Sequence, residues 1–223
     1  MTYISFVLDY LQKQRHGEPI FTEQIASSLA KAFHIPATKA AAAVSVAIKR
    51  LLDGGRVPEL RFYQKGIYYR TQITPFGELG IDREKLIAHK YLLPNRGYET
   101  GFRFLHRLGL TTQLPNERQI ATNAALGRPR YDAKLGVSVC TPRTTINAEN
   151  KDYLQFLDAL DLLDNAPIDT QEPYTILAAH VQSKGLNYEK LLSLADRHYS
   201  HKTIISLAHV AGARTETATG ART

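Results

Sequence analysis

The chain has 223 residues, with 28 Lys and Arg against 21 Asp and Glu, a formal net charge of +7, 43% hydrophobic residues, one Cys and no Trp. That is the composition of one large or two small globular domains, and the single Cys140 excludes an internal disulfide and a cysteine-rich zinc site and fits a reducing compartment. Residues 1–11 lack a basic segment followed by a long apolar run, and no stretch approaches the roughly 18 apolar residues of a membrane span. A soluble, cytoplasmic protein with no membrane partner is expected.

In residues 3–14, Ile4, Val7, Leu8 and Leu11 repeat as one apolar stripe of a helix, which ends before His16-Gly17. Thr22 reads as the N-cap of a second helix that turns Ile25, Leu29 and Phe33 inward and stops at His34-Ile35-Pro36. A third helix is predicted over residues 37–53, with Val44, Ala47, Ile48 and Leu51 buried and Gly54-Gly55 as its stop. Two aromatic and β-branched runs follow, residues 57–63 and 67–70, separated by Gln64-Lys65-Gly66, and these read as a hairpin. Helix, helix, helix, hairpin is the order of a winged helix-turn-helix domain, assigned to residues 1–77.

Pro75, Gly77 and Gly80 suggest a linker over residues 71–80. Beyond it the pattern predicts helices over residues 82–91 and 98–108, strands near 118–123 and 135–141, and then helices over 152–163, 174–182, 188–196 and 202–210. The fold class is therefore α+β, the second domain (residues 78–211) being mixed and helical towards its C-terminal end. Residues 212–223 are small and polar with no apolar period and are expected to form a disordered tail.

Charge divides unevenly along these segments. Residues 1–77 hold 10 Lys and Arg against 5 Asp and Glu, residues 78–149 hold 11 against 7, and residues 150–223 hold 7 against 9. A basic excess confined to the first two thirds suits a polyanion, most simply nucleic acid, and suits equally a basic surface kept for solubility. In a helix-turn-helix the second helix of the motif enters the major groove and presents the face away from its core stripe. Here that face carries Thr38, Lys39, Ala42, Ser45, Val46 and Lys49, and the hairpin adds Arg61 on one strand and Lys65 at its tip as phosphate contacts. Tyr63, Tyr68 and Tyr69 read as hairpin packing rather than base stacking.

Two blocks carry a family resemblance. Residues 43–57, Ala-Val-Ser-Val-Ala-Ile-Lys-Arg-Leu-Leu-Asp-Gly-Gly-Arg-Val, followed by Lys65-Gly66-Ile67-Tyr68-Tyr69, resemble the winged-helix region of AbiE-type antitoxins of type IV toxin–antitoxin systems. Residues 108–115, Leu-Gly-Leu-Thr-Thr-Gln-Leu-Pro, and then Ile120-Ala121-Thr122-Asn123 resemble the start of the antitoxin domain of the same family. The resemblance implies an abortive-infection antitoxin and transcriptional autorepressor. Its N-terminal domain would bind inverted repeats in double-stranded promoter DNA as two copies. Its C-terminal domain would counteract a nucleotidyltransferase-like toxin, with or without a stable complex, and Gly109, Leu110, Thr111, Gln113 and Pro115 would be the matching motif, architectural rather than reactive.

Other clusters are weaker. Arg103 and Arg107 lie at i and i+4 on the predicted helix and form a possible polyanion or partner contact, with scattered surface arginines as the plain alternative. Asp152, Asp158, Asp161 and Asp164 read as a solvated acidic face opposite an apolar stripe of Tyr153, Phe156, Leu157, Leu160 and Leu163. His198, His201 and His209 lack the spacing of a zinc motif, and Cys140 reads as a buried small residue. With no P-loop, nucleophile elbow or dinucleotide fingerprint, no enzyme, cofactor or metal is expected. The alternatives are a winged helix that binds protein and a DNA-binding regulator without an antitoxin role.

Overall fold

The computed structural model describes the backbone of residues 1–220 and the side chains through Ala213. The chain is a mixed α+β protein of two compact units, Met1–Leu86 and the chain from Ile87 onward.

In the first unit, α1 (Tyr3–Gln12) opens on a capping box between Thr2 and Ser5 and ends before the expected Gln14. α2 (Thr22–Phe33) and α3 (Ala37–Asp53) follow. Val7 and Leu11 of α1, Ile25 and Leu29 of α2, and Ala40, Val44, Ala47, Ile48 and Leu51 of α3 share one core, which Ile20, Val57 and Leu60 complete. The two helices α2 and α3 are joined by only three residues, and the turn is made by His34 in the left-handed region at φ 51°, where the Ile35 N–H reaches back to the Ala30 carbonyl at 3.1 Å.

Thr22 is not the N-cap of α2. Pro19–Phe21 is a strand, β1, so Phe21 holds the cap position, and the Thr22 N–H is satisfied by the Gly66 carbonyl at 2.9 Å. β1, β2 (Leu60–Gln64) and β3 (Ile67–Arg70) form an antiparallel sheet of order β1-β3-β2, with Ile20 opposite Tyr68 and Phe62 opposite Tyr68 on the other side. Arg70 latches this sheet to the end of α1 by donating to the Gln12 and Gln14 carbonyls at 2.8 and 2.7 Å.

Residues 71–86 belong to this unit rather than to a free linker. A small hairpin, β4 (Ile73–Thr74) and β5 (Gly77–Glu78), folds back on it. Arg61 Nε donates to Glu78 at 2.9 Å, the Thr71 hydroxyl to the Leu79 carbonyl at 2.8 Å and the Asp82 N–H to the Gly17 carbonyl at 2.7 Å, and Lys85 pairs with Glu18. With these ties the first compact unit extends to Leu86.

Short α4 (Arg83–Ile87) leads through a π-helical turn, Ala88–Leu92, into the second unit. Its sheet has the order β6-β7-β9-β8, from β6 (Gly97–Thr100), β7 (Arg118–Thr122), β8 (Arg130–Asp132) and β9 (Val137–Cys140). β7 and β9 run parallel, and the other pairs are antiparallel. The single helix expected over residues 98–108 is divided. Tyr98, Glu99 and Thr100 pair with β7, Gly101 turns the chain at φ 76°, and only α5 (Phe102–Arg107) is helical. Edge strand β8 escapes the alternation rule because Arg130 and Tyr131 are both exposed.

Gly97 marks a close approach in this sheet: a Cβ there would stand 2.1 Å from the Tyr91 carbonyl oxygen and 2.8 Å from that of Ala121. Neither backbone can yield easily, so Gly97→Ala is expected to lower stability by about 2–3 kcal/mol. Urea unfolding of the purified variant measures this.

Helices α6 (Lys151–Leu162), α7 (Pro173–Ser183), α8 (Tyr188–His198) and α9 (His201–Gly220) complete the unit. Phe104, Leu105, Phe156, Leu157, Leu160, Leu177, Val181, Leu191, Leu207 and Val210 form its main core. His180 is wedged there between the Phe104 and Phe156 rings, and withdrawal from water, then Lys184, holds its imidazole below the usual range. The last helix continues to Gly220, past Gly212 where the tail was expected to begin, and Ala213 still packs against the core. Residues 221–223 of that expected tail lie outside the described residues.

Candidate nucleic-acid interface

The core stripe of α3 leaves one side of the helix in water. Thr38, Lys39, Ala42, Ser45, Val46 and Lys49 are all exposed on it, and Arg50, which the sequence reading omits, is exposed beside Lys39 and Val46. Arg50 is detectable by its spacing, eleven residues after Lys39 and four after Val46, which returns it to the same side of a helix. The Ser45 hydroxyl is turned back onto the Ala41 carbonyl at 3.1 Å. α3 starts after Pro36 with no side-chain cap and with no acidic residue in its first turn, so its open amides and dipole favour an anion there.

Lys39, Lys49, Arg50 and Lys65 take part in no ion pair among the described residues, which leaves their charges available to a partner. Lys65 stands at the two-residue tip of the β2–β3 hairpin with Gly66 at φ 81°, close to the start of α2, because the Thr22 N–H bonds to Gly66. Arg61 differs: its guanidinium is held by Glu78 and by the Pro58 carbonyl at 2.7 Å, so it reaches a phosphate only by leaving an ion pair. Phe62 and Tyr68 pack edge to face at 5.5 Å, which agrees with hairpin packing.

The motif of the second unit is built as architecture. Gly109 ends α5 in the left-handed region at φ 79°, and the Leu110 N–H closes onto the Leu105 carbonyl at 3.1 Å while its side chain is fully buried. Thr111 is buried, the Gln113 N–H bonds to the Thr111 hydroxyl at 3.2 Å, and Asp169 accepts from the Thr112 N–H at 2.6 Å; Pro115 is half-buried. Arg103 and Arg107 are exposed on α5, but Arg107 is paired with Glu99, which also lies 2.5 Å from Arg118 Nε.

The acidic face is not uniformly solvated. Asp152 and Asp164 are exposed, whereas Asp161 pairs with Arg143 at 2.8 Å and accepts from the Thr203 hydroxyl at 2.8 Å. Asp158 turns towards the sheet, where the hydroxyls of Tyr199, Tyr98 and Thr100 donate to it at 2.7, 2.9 and 3.2 Å. No local pattern announces this cluster, because its members come from β6, α6 and the end of α8. Withdrawal from water holds the Asp158 carboxyl above the usual range, against the pull of those hydroxyls, and pushes both tyrosines up as well. Cys140 bonds to the Ile120 carbonyl at 3.6 Å, and burial and Asp158 hold its thiol up, the opposite of an activated nucleophile.

Because the folded chain holds the Asp158 proton more tightly than the unfolded one, its contribution to stability is present at low pH and declines as pH rises above 3.8 through the folded value. Asp158→Asn removes that titration. Its melting temperature relative to the natural chain is expected to rise as the pH is raised from below 3.8 and to level off once the natural carboxyl has ionised, and a difference that stays constant from acid to neutral pH contradicts the assignment.

Among the described residues no group of three His, Cys, Asp or Glu could hold a metal ion, and no helix is long and apolar enough to cross a membrane. No family model matches the chain, and no curated protein matches it.

Proposed function

We propose that the chain is a cytoplasmic, promoter-binding repressor of the AbiE antitoxin type. In this reading its N-terminal unit acts as a winged helix-turn-helix. α3 enters the major groove with Thr38, Lys39, Ala42, Ser45 and Lys49 towards the DNA, and Lys65, with Arg61 released from Glu78, meets the adjacent phosphates. Two copies occupy an inverted repeat.

The observation that carries the DNA half is the exposed face of α3, whose Lys39, Lys49 and Arg50 take part in no ion pair among the described residues while its opposite face is locked in the core. The antitoxin half rests on the likeness of residues 108–115 and 120–123 to that family, and no catalytic role is assigned. This reading expects a nucleotidyltransferase-like toxin to be encoded beside the chain, and coexpression tests it: the full chain should restore growth to cells expressing that toxin. Growth arrest that persists at matched expression contradicts the antitoxin role and leaves a regulator alone.

A further inference from the structure

The exposed side of α3 is short of groups that read bases by paired hydrogen bonds. Arg, Lys, Asn and Gln supply the two-point contacts to guanine and adenine. Of these, the exposed side of α3 carries only Lys39, Lys49 and Arg50, all towards its ends, and the one serine is engaged by its own helix at Ala41. What it offers midway is apolar. Ala42, Ala43 and Val46 line a shallow groove with Tyr3 and Ile4 of α1, and Val46 stays 50% exposed. A β-branched residue at a half-exposed helix position is less favourable than alanine in intrinsic helix propensity, so Val46 adds nothing to the intrinsic stability of α3.

The cations stand at the ends of this patch. Lys39 precedes Lys49 by ten residues, a rise of about 15 Å, against a major groove about 12 Å wide. A helix laid in the groove can therefore place Lys39 near one phosphate wall and Lys49 and Arg50 near the other, with Ala42 and Val46 over the floor between them. Lysines act there as point charges towards phosphate. The only apolar groups on the major-groove floor are the C5-methyls of thymine. An apolar centre with a basic rim thus matches a thymine-bearing duplex in both charge and polarity.

We propose that α3 reads thymine methyl groups, with Val46 and Ala42 as the residues that set sequence preference. The inference rests on the DNA-binding reading above and specifies what that surface recognises. Each methyl withdrawn from water against Val46 or Ala42 is worth about one CH₂ of burial, roughly a fourfold change in affinity, so two or three contacts give roughly 15- to 60-fold.

The test compares three duplexes by fluorescence anisotropy: the DNA immediately upstream of the coding sequence, the same duplex with every thymine replaced by deoxyuridine, and a scrambled duplex of equal composition. Tighter binding to the upstream duplex, a loss of roughly 15-fold or more with deoxyuridine and an unchanged salt slope are expected. In Val46→Ala, which keeps the helix and the phosphate contacts, the deoxyuridine penalty should shrink. Selective binding of the upstream duplex that ignores deoxyuridine, or a penalty that persists undiminished in Val46→Ala, overturns methyl reading while the DNA-binding reading stands. Equal, weak binding of all three duplexes overturns both and turns the groove towards a protein partner.

Discussion

Joint replacement of Lys39 and Lys49 by alanine is expected to weaken binding to upstream DNA by roughly 30-fold near physiological salt and to flatten the salt dependence by about two units of log–log slope. Each lysine that neutralises one phosphate releases about one counterion, and among the described residues these two bear no competing ion pair. Both side chains are exposed, so the double variant should unfold with the natural chain. Arg61→Ala should do less, because binding through Arg61 first requires its separation from Glu78. Loss of affinity with an unchanged slope would place the lysines on something other than phosphate.

Phe156→Ala has the largest expected effect on stability, about 3–5 kcal/mol. Its ring is fully buried on α6, stacked on His180 in the same core as Leu105, Leu157, Leu160 and Leu177, and alanine would leave a cavity that the packed helices cannot close. The first unit has its own core, built on Val7, Ile25, Val44, Ile48 and Leu51. Hydrogen exchange should therefore lose protection in α6 to α9 well before α1 to α3. Uniform loss across the chain would mean that the two units unfold as one.

The first unit is legible in the sequence because its signals are local. Val44, Ala47, Ile48 and Leu51 repeat at helical spacing, and Gln64-Lys65-Gly66 between aromatic runs announces a hairpin, whose tip in the fold is Lys65-Gly66 because Gln64 pairs with Ile67. What escapes depends on partners far away in the chain. Pro19–Phe21 is too short to show a period and becomes a strand only because β3 pairs with it. Tyr98, Glu99 and Thr100 sit in an apolar pattern that suits a helix, yet β7 pairs with them and Gly101 releases the chain into α5. Residues 71–80 carry Pro and Gly like a linker, and the attachment of residues 71–86 to Gly17, Glu18 and Arg61 has no sequence signature.

The candidate site follows the same division. Exposure of Thr38, Lys39, Ala42, Ser45 and Lys49 follows from the helical period, since the residues opposite a buried stripe face water. The Arg61–Glu78 pair and the inward turn of Asp158 do not follow from it. In α6, Asp158 lies between buried Leu157 and Ala159, at an angle where period alone leaves a side chain half in water, and Tyr98, Thr100 and Tyr199 decide its direction.

The central claim, that α3 and the Lys65 hairpin bind specific DNA, is tested most directly by fluorescence anisotropy of the full chain on its own upstream DNA and on a scrambled duplex across a salt series. Tighter binding to the upstream duplex, weakening steeply with salt, is the predicted result. Equal and weak binding to both duplexes at every salt concentration would contradict it, reducing the net charge of +7 to nonspecific attraction.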